Sequence, residues 1–252
     1  MARWRLAGHL RQQDWAAVAI DLAIVVLGVF LGIQASNWND ERRNHRIANT
    51  YLDRIRHDLG VDLDQLRRHE DYWRASQDAG DRALRFAEDG RLDRDEWTTL
   101  LDFYDASQIS NYVSTDGTYN EMLSAGRLDL LGDGSLKSDL SDYYVSVRSN
   151  AHVLFETLPA YREDIRGAVP YRFQRYILER CKSNAWEAFR GRCPPPPDTS
   201  GLAAFNRSLA ANKTLISELR SRVNALYYTR GAGGQKQNDI KQLIVSIDSE
   251  RR

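Results

Sequence analysis

The chain has 252 residues, of which 42% are hydrophobic and 28% are charged, and its 35 basic side chains balance its 35 acidic ones. This composition excludes a multi-span membrane protein and a collagenous or proline-rich fibre, and it lacks the basic excess typical of nucleic-acid-binding proteins. We therefore expect one sizeable domain or two small ones, and no nucleic-acid partner.

Residues 16–36 hold much of the aliphatic content of the chain and predict one membrane-spanning helix. About 22 residues separate Trp15 from Trp38, which gives roughly 33 Å and matches a hydrocarbon core of about 30 Å. The two tryptophans suit the bilayer interfaces as anchors. A buried helix of a soluble domain is the alternative, but no other segment is apolar enough to surround it. We expect a tail over 1–14 and a transmembrane helix over 15–38 in contact with the lipid bilayer.

A cleaved signal peptide is a second alternative for this segment. Its apolar region would be about 7 to 15 residues long and would end at a small-x-small site. The segment here is longer and offers only Ile33-Gln34-Ala35. We therefore expect an uncleaved anchor.

Three arginines on each side of the span leave its orientation undecided by the positive-inside rule. They are Arg3, Arg5 and Arg11 before the span and Arg42, Arg43 and Arg46 after it. Cys181 and Cys193 flank a loop of about 11 residues that leads into four prolines, where a disulfide would hold the chain. A pair of free thiols is the alternative. Because a disulfide suits an oxidising compartment, we expect an inner-membrane protein with a cytoplasmic amino terminus and a periplasmic or otherwise external body.

One face of the predicted span is unsuited to lipid. A helix advances about 100° per residue, so several small residues fall within about 40° of Asp21: Ala17, Gly28, Gly32 and Ala35. Glycines at a four-residue spacing let another helix approach closely, and a carboxyl group in hydrocarbon needs a partner or water. We predict that this face contacts another transmembrane helix, from a second copy or from a larger membrane complex.

The role of Asp21 has two other interpretations. It lies about 9 Å inside Trp15, so its carboxyl group could reach the interface or remain protonated without a role. A single-span subunit with an acidic residue early in its helix also resembles the proton-channel subunits of biopolymer-transport and flagellar stator motors. That resemblance covers only the anchor and implies proton conduction through Asp21.

The rest of the chain predicts helices joined by short turns. Apolar residues three or four apart predict an amphipathic helix that continues the membrane helix outward, with an apolar face made of Leu52, Ile55, Leu59, Leu63 and Leu66. A shorter helix over 78–88 and a turn at Asp89-Gly90 follow. Asp93, with Glu96 three residues later, predicts the capped start of the next helix.

The middle of the chain predicts a small helix within 115–126, a short segment over 127–131 and a helix capped by Ser135 that runs until Pro170. Beyond the cysteine–proline loop, residues 202–228 predict another helix. A glycine-containing loop over 231–234 then leads to a final helix from Asn238.

No segment has convincing strand alternation, so the expected fold class is all-α, with one transmembrane helix continuing into an extramembrane helical bundle. Tyrosine and tryptophan are expected to fill much of its core. The expected boundaries are 39–170 for the helical domain, 171–200 for an excursion that contains the cysteines and prolines, and 201–252 for carboxyl-terminal helices that pack on the bundle.

The end of the span resembles a known family. Residues 33–42 read Ile-Gln-Ala-Ser-Asn-Trp-Asn-Asp-Glu-Arg, with Asp21 near the start of the span. This is similar to an uncharacterised family of bacterial single-span membrane proteins whose span begins with an acidic residue and ends in Asn-Trp-Asn-Glu. The resemblance implies a bacterial membrane protein and no particular activity, because the family is defined without one.

A later set of residues supports this resemblance. In the family, a helix with Tyr-x-x-Leu and a Ser-Gly-x-Leu stretch precede a leucine-rich helix that ends in Tyr-Tyr. The corresponding residues here are Tyr119, Leu123, Ala125-Gly126-Arg127-Leu128 and Tyr143-Tyr144. Ala125 in place of serine and Asp21 in place of the usual glutamate are mild departures. The resemblance covers about residues 15–150.

Catalytic motifs are missing from the sequence. None of the five histidines belongs to a His-Glu-x-x-His motif, and there is no paired Cys-x-x-Cys, Gly-x-Ser-x-Gly or phosphate loop. Sequence neighbours such as His57-Asp58 and His69-Glu70 point about 100° apart on a helix and suit a solvated face. We therefore expect no enzyme activity, no cofactor and no metal. The histidines are His9, His45, His57, His69 and His152.

These patterns together predict a membrane-anchored interaction or scaffolding protein, an accessory subunit of a membrane assembly that associates through Asp21, Gly28 and Gly32. The alternative is a proton- or ion-coupled single-span subunit that uses Asp21. An enzyme with an unrecognised site is a third hypothesis.

Overall fold

The computed structural model describes residues 15–90, 94–132, 134–155, 158–181 and 193–251, and within them the side chains of all but 15–17 and 150–155. Every regular element in these residues is a helix, which confirms the predicted all-α fold. The chain divides into two compact units, Met1–Tyr51 and Leu52–Arg252. We call the second unit the body.

The helices are, in chain order, α1 (Trp15–Asp89), α2 (Glu96–Ala106), α3 (Gly117–Ser124), a 3-10 turn (Leu128–Leu131), α4 (Leu136–Phe155), α5 (Ala160–Ala168), α6 (Tyr171–Tyr176) with a π turn (Ile177–Cys181), α7 (Leu202–Ala211) and α8 (Lys213–Glu250). α1 contributes residues to both units, and the other helices belong to the body.

All the helices of the body contribute buried residues to its core, and one large cluster joins α1, α2, α5, α6, α7 and α8. Its buried apolar side chains include Phe86, Trp97, Leu100, Phe103, Ile165, Leu209, Leu215 and Leu219. Burial of one such side chain stabilises the fold by about 1.5–3 kcal/mol. Tyrosines also fill the core, as expected, and Tyr104, Tyr144 and Tyr161 are among its largest fully buried side chains.

The part of α1 in the body buries one residue every three or four positions. The buried positions are Leu52, Ile55, Leu59, Asp62, Leu66, His69, Trp73, Ser76, Ala79, Gly80, Ala83 and Phe86. Three of these, Asp62, His69 and Ser76, are polar and lie seven residues apart, and we call them the polar seam. This heptad spacing keeps all three on the same side of the helix.

The polar seam holds the irregular segment 107–116 along α1. Ser76 Oγ donates to the carbonyl of Asp105, in the last turn of α2, at 2.7 Å and to that of Gln108 at 3.5 Å, and Ser110 Oγ lies 2.7 Å from His69 Nδ1. Asp62 accepts hydrogen bonds of 2.8 Å from Ser114 Oγ and from the backbone N–H of Thr115. The three polar side chains thus satisfy a stretch of chain that has no helical hydrogen bonds of its own.

Arginines from α5 and α8 donate hydrogen bonds to backbone carbonyl groups at the carboxyl-terminal end of α2. Arg162 donates to the carbonyl of Ser107 at 2.8 Å, and Arg222 donates to the carbonyl of Gln108 at 2.6 Å and to that of Ala106 at 3.3 Å. Cationic side chains at a helix carboxyl terminus satisfy its free carbonyls and interact favourably with its dipole. Burial, together with the nearby charge of Arg162, lowers the pKa of Arg222 to about 10.

The predicted loop over 231–234 is wrong, because α8 runs through these glycines without a break. A Cβ on Gly233 would lie 2.8 Å from Cζ3 of Trp73, so the glycine lets α8 approach α1 closely. A glycine in a helix costs about 1 kcal/mol relative to alanine, and this contact offsets that cost. Packing between helices therefore overrides the local preference.

Three other boundaries also differ from the predictions. The separate helix over 78–88 is part of α1, because no residue before Gly90 interrupts its hydrogen bonds. Residues 202–228 form two helices, because Asn212 caps α8 by accepting from the N–H of Leu215 at 3.2 Å. The long helix expected before Pro170 is divided into α4 and α5, and Pro159, which lacks a backbone N–H, precedes α5.

The start of α2 and the end of α3 lie close to their predicted positions. α2 is capped by Asp95, which accepts from the N–H of Thr98 at 2.9 Å, and the predicted cap Asp93 lies outside the described residues. The predicted small helix is confirmed as α3, and Gly126 follows it with a φ of 63°, which glycine adopts at no steric cost.

Cys181 and Cys193 form a disulfide, with their Cα atoms 4.7 Å apart. The bond is tied to the body, because Trp97 Nε1 donates to the carbonyl of Cys193 at 3.1 Å and Tyr176 donates to the carbonyl of Pro195 at 3.3 Å. Residues 182–192, between the two cysteines, lie outside the described part of the chain.

Candidate functional site

The first part of α1 is apolar and exposed. It contains an 18-residue window with a mean hydropathy of 2.3, and none of that window is buried. Its exposed apolar side chains include Ile20, Leu22, Ile24, Val25, Leu27, Phe30 and Leu31. A helix of this length and composition is compatible with a single-pass membrane protein.

The residues predicted to contact another helix are exposed on this part of α1. Asp21, Gly28, Gly32 and Ala35 all have high solvent exposure. A Cβ added to Gly28 or to Gly32 would meet no heavy atom within 4 Å. There is therefore room at both glycines for the backbone of a second helix.

The structure describes only the backbone of one predicted interfacial anchor and one predicted helix-contact residue. Trp15 and Ala17 belong to the backbone of α1, but their side chains lie outside the described residues. Trp38 is 61% exposed at the other end of the predicted span, and the guanidinium carbon of Arg42 lies 4.7 Å from the centre of its ring.

No family model, curated protein or solved structure matches the chain. The resemblance to the bacterial single-span family therefore stays a prediction.

The body contains a cavity of about 560 Å³ between α8, the start of α5 and the segment 109–111. Small-molecule sites commonly measure about 300–1,000 Å³. Aromatic residues line it, namely Trp73, Tyr161 and Tyr228, and Arg222 and Glu218 supply charge. Burial and the neighbouring carboxylate of Asp164 raise the pKa of Glu218. Sequence reasoning missed this cavity, because its walls come from positions more than a hundred residues apart.

Ser110 and His69 meet beside this cavity in a pairing that serine hydrolases use for nucleophile and base. The His69 ring is buried, stacked against Trp73 at 5.5 Å and edge-on to Tyr112 at 6.0 Å. Burial, and to a smaller extent Arg68, lowers the pKa of His69 to about 4. A base with so low a pKa is inefficient at neutral pH, so the geometry favours a role in holding Ser110.

The other residues weighed for chemistry are not brought together. His57 is exposed and its neighbour Asp58 is half-buried, and His45 lies 4.0 Å from Glu41 as an exposed pair one turn apart. His9 and the side chain of His152 lie outside the described residues. Within the part of the chain that the structure describes, no group of three or more metal-ligating side chains converges.

The neutral state of His69 predicts a dependence of stability on pH. The unfolded state binds a proton near pH 6.5, whereas the folded state does so only near pH 4. Stability is therefore fully present above about pH 6.5 and falls as the pH decreases, by about 3 kcal/mol at pH 4. Denaturant unfolding of the full chain in detergent, followed by near-ultraviolet circular dichroism, measures this loss.

The matched variant for this test is His69→Gln, which keeps a polar partner for Ser110 but does not titrate. The difference in unfolding free energy between wild type and H69Q should shrink by about 3 kcal/mol between pH 7 and pH 4. A difference that is the same at both pH values would contradict a neutral, buried His69.

Proposed function

We propose that the protein is a single-pass membrane protein that acts as an interaction or scaffolding subunit of a membrane assembly. The observation that carries the proposal is the exposed strip of Asp21, Gly28, Gly32 and Ala35 on an otherwise apolar helix. In hydrocarbon such a strip favours contact with another helix, because small residues allow close packing and the carboxyl group gains a hydrogen-bond partner.

Features of the body also support an interaction role. Tyr227 and Tyr228 are both exposed, and their rings meet at 5.9 Å in an edge-on arrangement. Tyr228 also lines the cavity beside Trp73. Exposed tyrosines are enriched at protein–protein interfaces because they bury a large area and lose little side-chain entropy. The disulfide between Cys181 and Cys193 supports an external location of the body.

Closing the space at the two glycines is expected to break the proposed association. The double variant Gly28→Leu with Gly32→Leu places two branched side chains where a neighbouring backbone would pack, and should weaken association at least tenfold, about 1.4 kcal/mol. Energy transfer between labelled full-length chains in vesicles measures self-association. Recovery of the intact complex from native membranes on native gels measures association with another protein.

The matched control for this experiment changes the opposite side of the same helix. Val26 and Phe30 lie about 140° and 180° from Asp21, so the double variant Val26→Leu with Phe30→Leu alters only the lipid-facing surface. It should leave association unchanged. Unchanged association in the glycine variant, by both measurements, would remove the support for the scaffold proposal.

Asp21 distinguishes the scaffold proposal from the proton-coupled alternative. The substitution Asp21→Asn keeps a hydrogen-bonding group and removes the titratable one. On the scaffold proposal, association changes less than about threefold, because the amide still bonds to a neighbouring helix. The measurements are association, as above, and proton flux into vesicles that contain the reconstituted full chain. A proton flux that is present in wild type and absent in D21N would favour the alternative.

A further inference from the structure

The end of the predicted span carries two arginines that make no ion pair among the described residues. Arg42 and Arg46 are exposed, whereas their neighbour Arg43 pairs with Asp40 at 3.3 Å. His45 lies beside Glu41, the other acidic residue of this turn. The positive charges of Arg42 and Arg46 are therefore uncompensated locally, although they lie one turn apart on one face.

Both arginines extend back along α1 toward the span. The guanidinium carbon of Arg42 lies 4.7 Å from the ring centre of Trp38, four residues earlier. Arg46 Nε donates a hydrogen bond of 3.3 Å to the carbonyl of Arg42, again four residues earlier. Side chains on a helix tilt toward its amino terminus, and for these residues that direction leads to the apolar segment.

The spacing matches the depth of lipid phosphates. The headgroup layer adds about 5–7 Å to each side of the hydrocarbon core. Trp38 is the predicted interfacial anchor, and Arg42 follows it by about 6 Å along the helix axis. Arg46 lies one turn further out and extends its guanidinium group inward. The two guanidinium groups therefore lie about one helical turn, roughly 6 Å, apart along one face within the headgroup layer, and guanidinium binds phosphate oxygens with paired hydrogen bonds.

We propose that Trp38, Arg42 and Arg46 form a binding site for the phosphate of an anionic phospholipid headgroup in the leaflet where the span ends. Trp38 positions Arg42 through the contact between cation and ring, and the two guanidinium groups hold the phosphate. This inference rests on the proposed insertion of residues 15–38 into the bilayer and is independent of the proposed helix partner.

The test compares two short-chain lipids on the purified full-length protein in detergent. Native mass spectrometry with phosphatidylglycerol or phosphatidylcholine at matched concentrations gives the ratio of their dissociation constants. Each arginine near an anionic surface contributes a factor of about five, so the double variant Arg42→Gln with Arg46→Gln should reduce the preference for phosphatidylglycerol roughly 25-fold. Trp38→Leu keeps both charges and should reduce it about threefold.

The control removes the same charge from the body. Arg67 and Arg207 are both exposed, and the double variant Arg67→Gln with Arg207→Gln should leave the preference unchanged. An equal loss in this control, or wild-type preference in R42Q/R46Q, would overturn the proposal. Displacement of phosphatidylglycerol by inorganic phosphate at equal concentration would also overturn it, because the site would then be one for free phosphate.

Extraction of reconstituted vesicles with alkaline carbonate separates this inference from its premise. If the chain is extracted, the span is not inserted and the proposed function fails together with the headgroup site. If the chain is retained but shows no preference for phosphatidylglycerol, only the headgroup site fails. Loss of association in the glycine variant, with lipid preference intact, would support both proposals separately.

Discussion

Replacing Gly80 with leucine is expected to lower the free energy of unfolding of the body by about 3 kcal/mol or more. A Cβ at this position would lie 2.5 Å from Cγ2 of Val223 and 3.4 Å from Cβ of Ala106, so α1, α8 and α2 meet there without space for a side chain. Overpacking of a tight contact typically costs about 1–3 kcal/mol, and leucine adds three carbons beyond Cβ. Denaturant unfolding of the full chain in detergent measures the loss.

The control lies on the same helix. Gly60 has no heavy atom within 4 Å of the position a Cβ would take, so Gly60→Ala should raise the free energy of unfolding by about 0.5–1 kcal/mol through helix propensity alone. Val223→Ala should partly restore stability to a Gly80→Ala variant, because it removes the clashing methyl group. If alanine stabilises equally at positions 60 and 80, the helices do not meet at Gly80.

Replacing Asp62 with alanine is expected to lower the free energy of unfolding of the body by about 3–5 kcal/mol. Asp62 is fully buried and accepts from Ser114 Oγ and Thr115 N–H at 2.8 Å each, and from the hydroxyl of Tyr143 at 3.4 Å. Alanine would remove the acceptor that these half-buried and buried donors share, which costs about 1–3 kcal/mol for each donor that stays out of water. The segment 107–116 should also lose protection, measured as faster amide hydrogen exchange there.

Asp64 supplies the comparison two residues along α1. Its carboxylate is 62% exposed and pairs with Arg67 at 3.1 Å. An exposed pair of this kind contributes at most about 0.5 kcal/mol, so Asp64→Ala should change the free energy of unfolding by no more than that. Similar losses for D62A and D64A would show that Asp62 does not hold the segment.

The long apolar helix and the all-α fold are predictable because both depend on patterns within a single stretch of chain. Hydropathy over residues 16–36 needs no knowledge of the rest of the fold. The amphipathic pattern after residue 52 likewise marks Leu52, Ile55, Leu59 and Leu66 as one face, and all four are buried.

The polar seam was missed although the sequence contains a signal for it. Asp62 follows Leu59 by three residues and precedes Leu66 by four, which places it on the apolar face of the helix. The leucine spacing instead predicts Leu63 on the apolar face, and Leu63 is only half-buried. A polar residue at a core position of a heptad pattern indicates a specific buried partner, and Asp62 has such a partner in the segment 107–116.

Other features could not be predicted because they depend on contacts across the chain. Glycines at 231–234 favour a loop by local preference, and only the approach of Trp73 to Gly233 makes a continuous helix favourable. The cavity beside Tyr228 likewise requires α5, α8 and the segment 109–111 to be assembled. The spacing of residues within one helix cannot predict a contact between segments that are far apart in the chain.

The arginines at the end of α2 have a consequence for biosynthesis. The carbonyl groups of Ser107 and Gln108 find their partners 55 and 114 residues later, in Arg162 and Arg222. A ribosome must therefore translate well into α8 before the carboxyl-terminal end of α2 gains both of these contacts. Until then, the emerging body also lacks the core residues that α8 supplies, among them Leu215, Leu219 and Val223, and incomplete burial of this kind makes a nascent chain prone to aggregation.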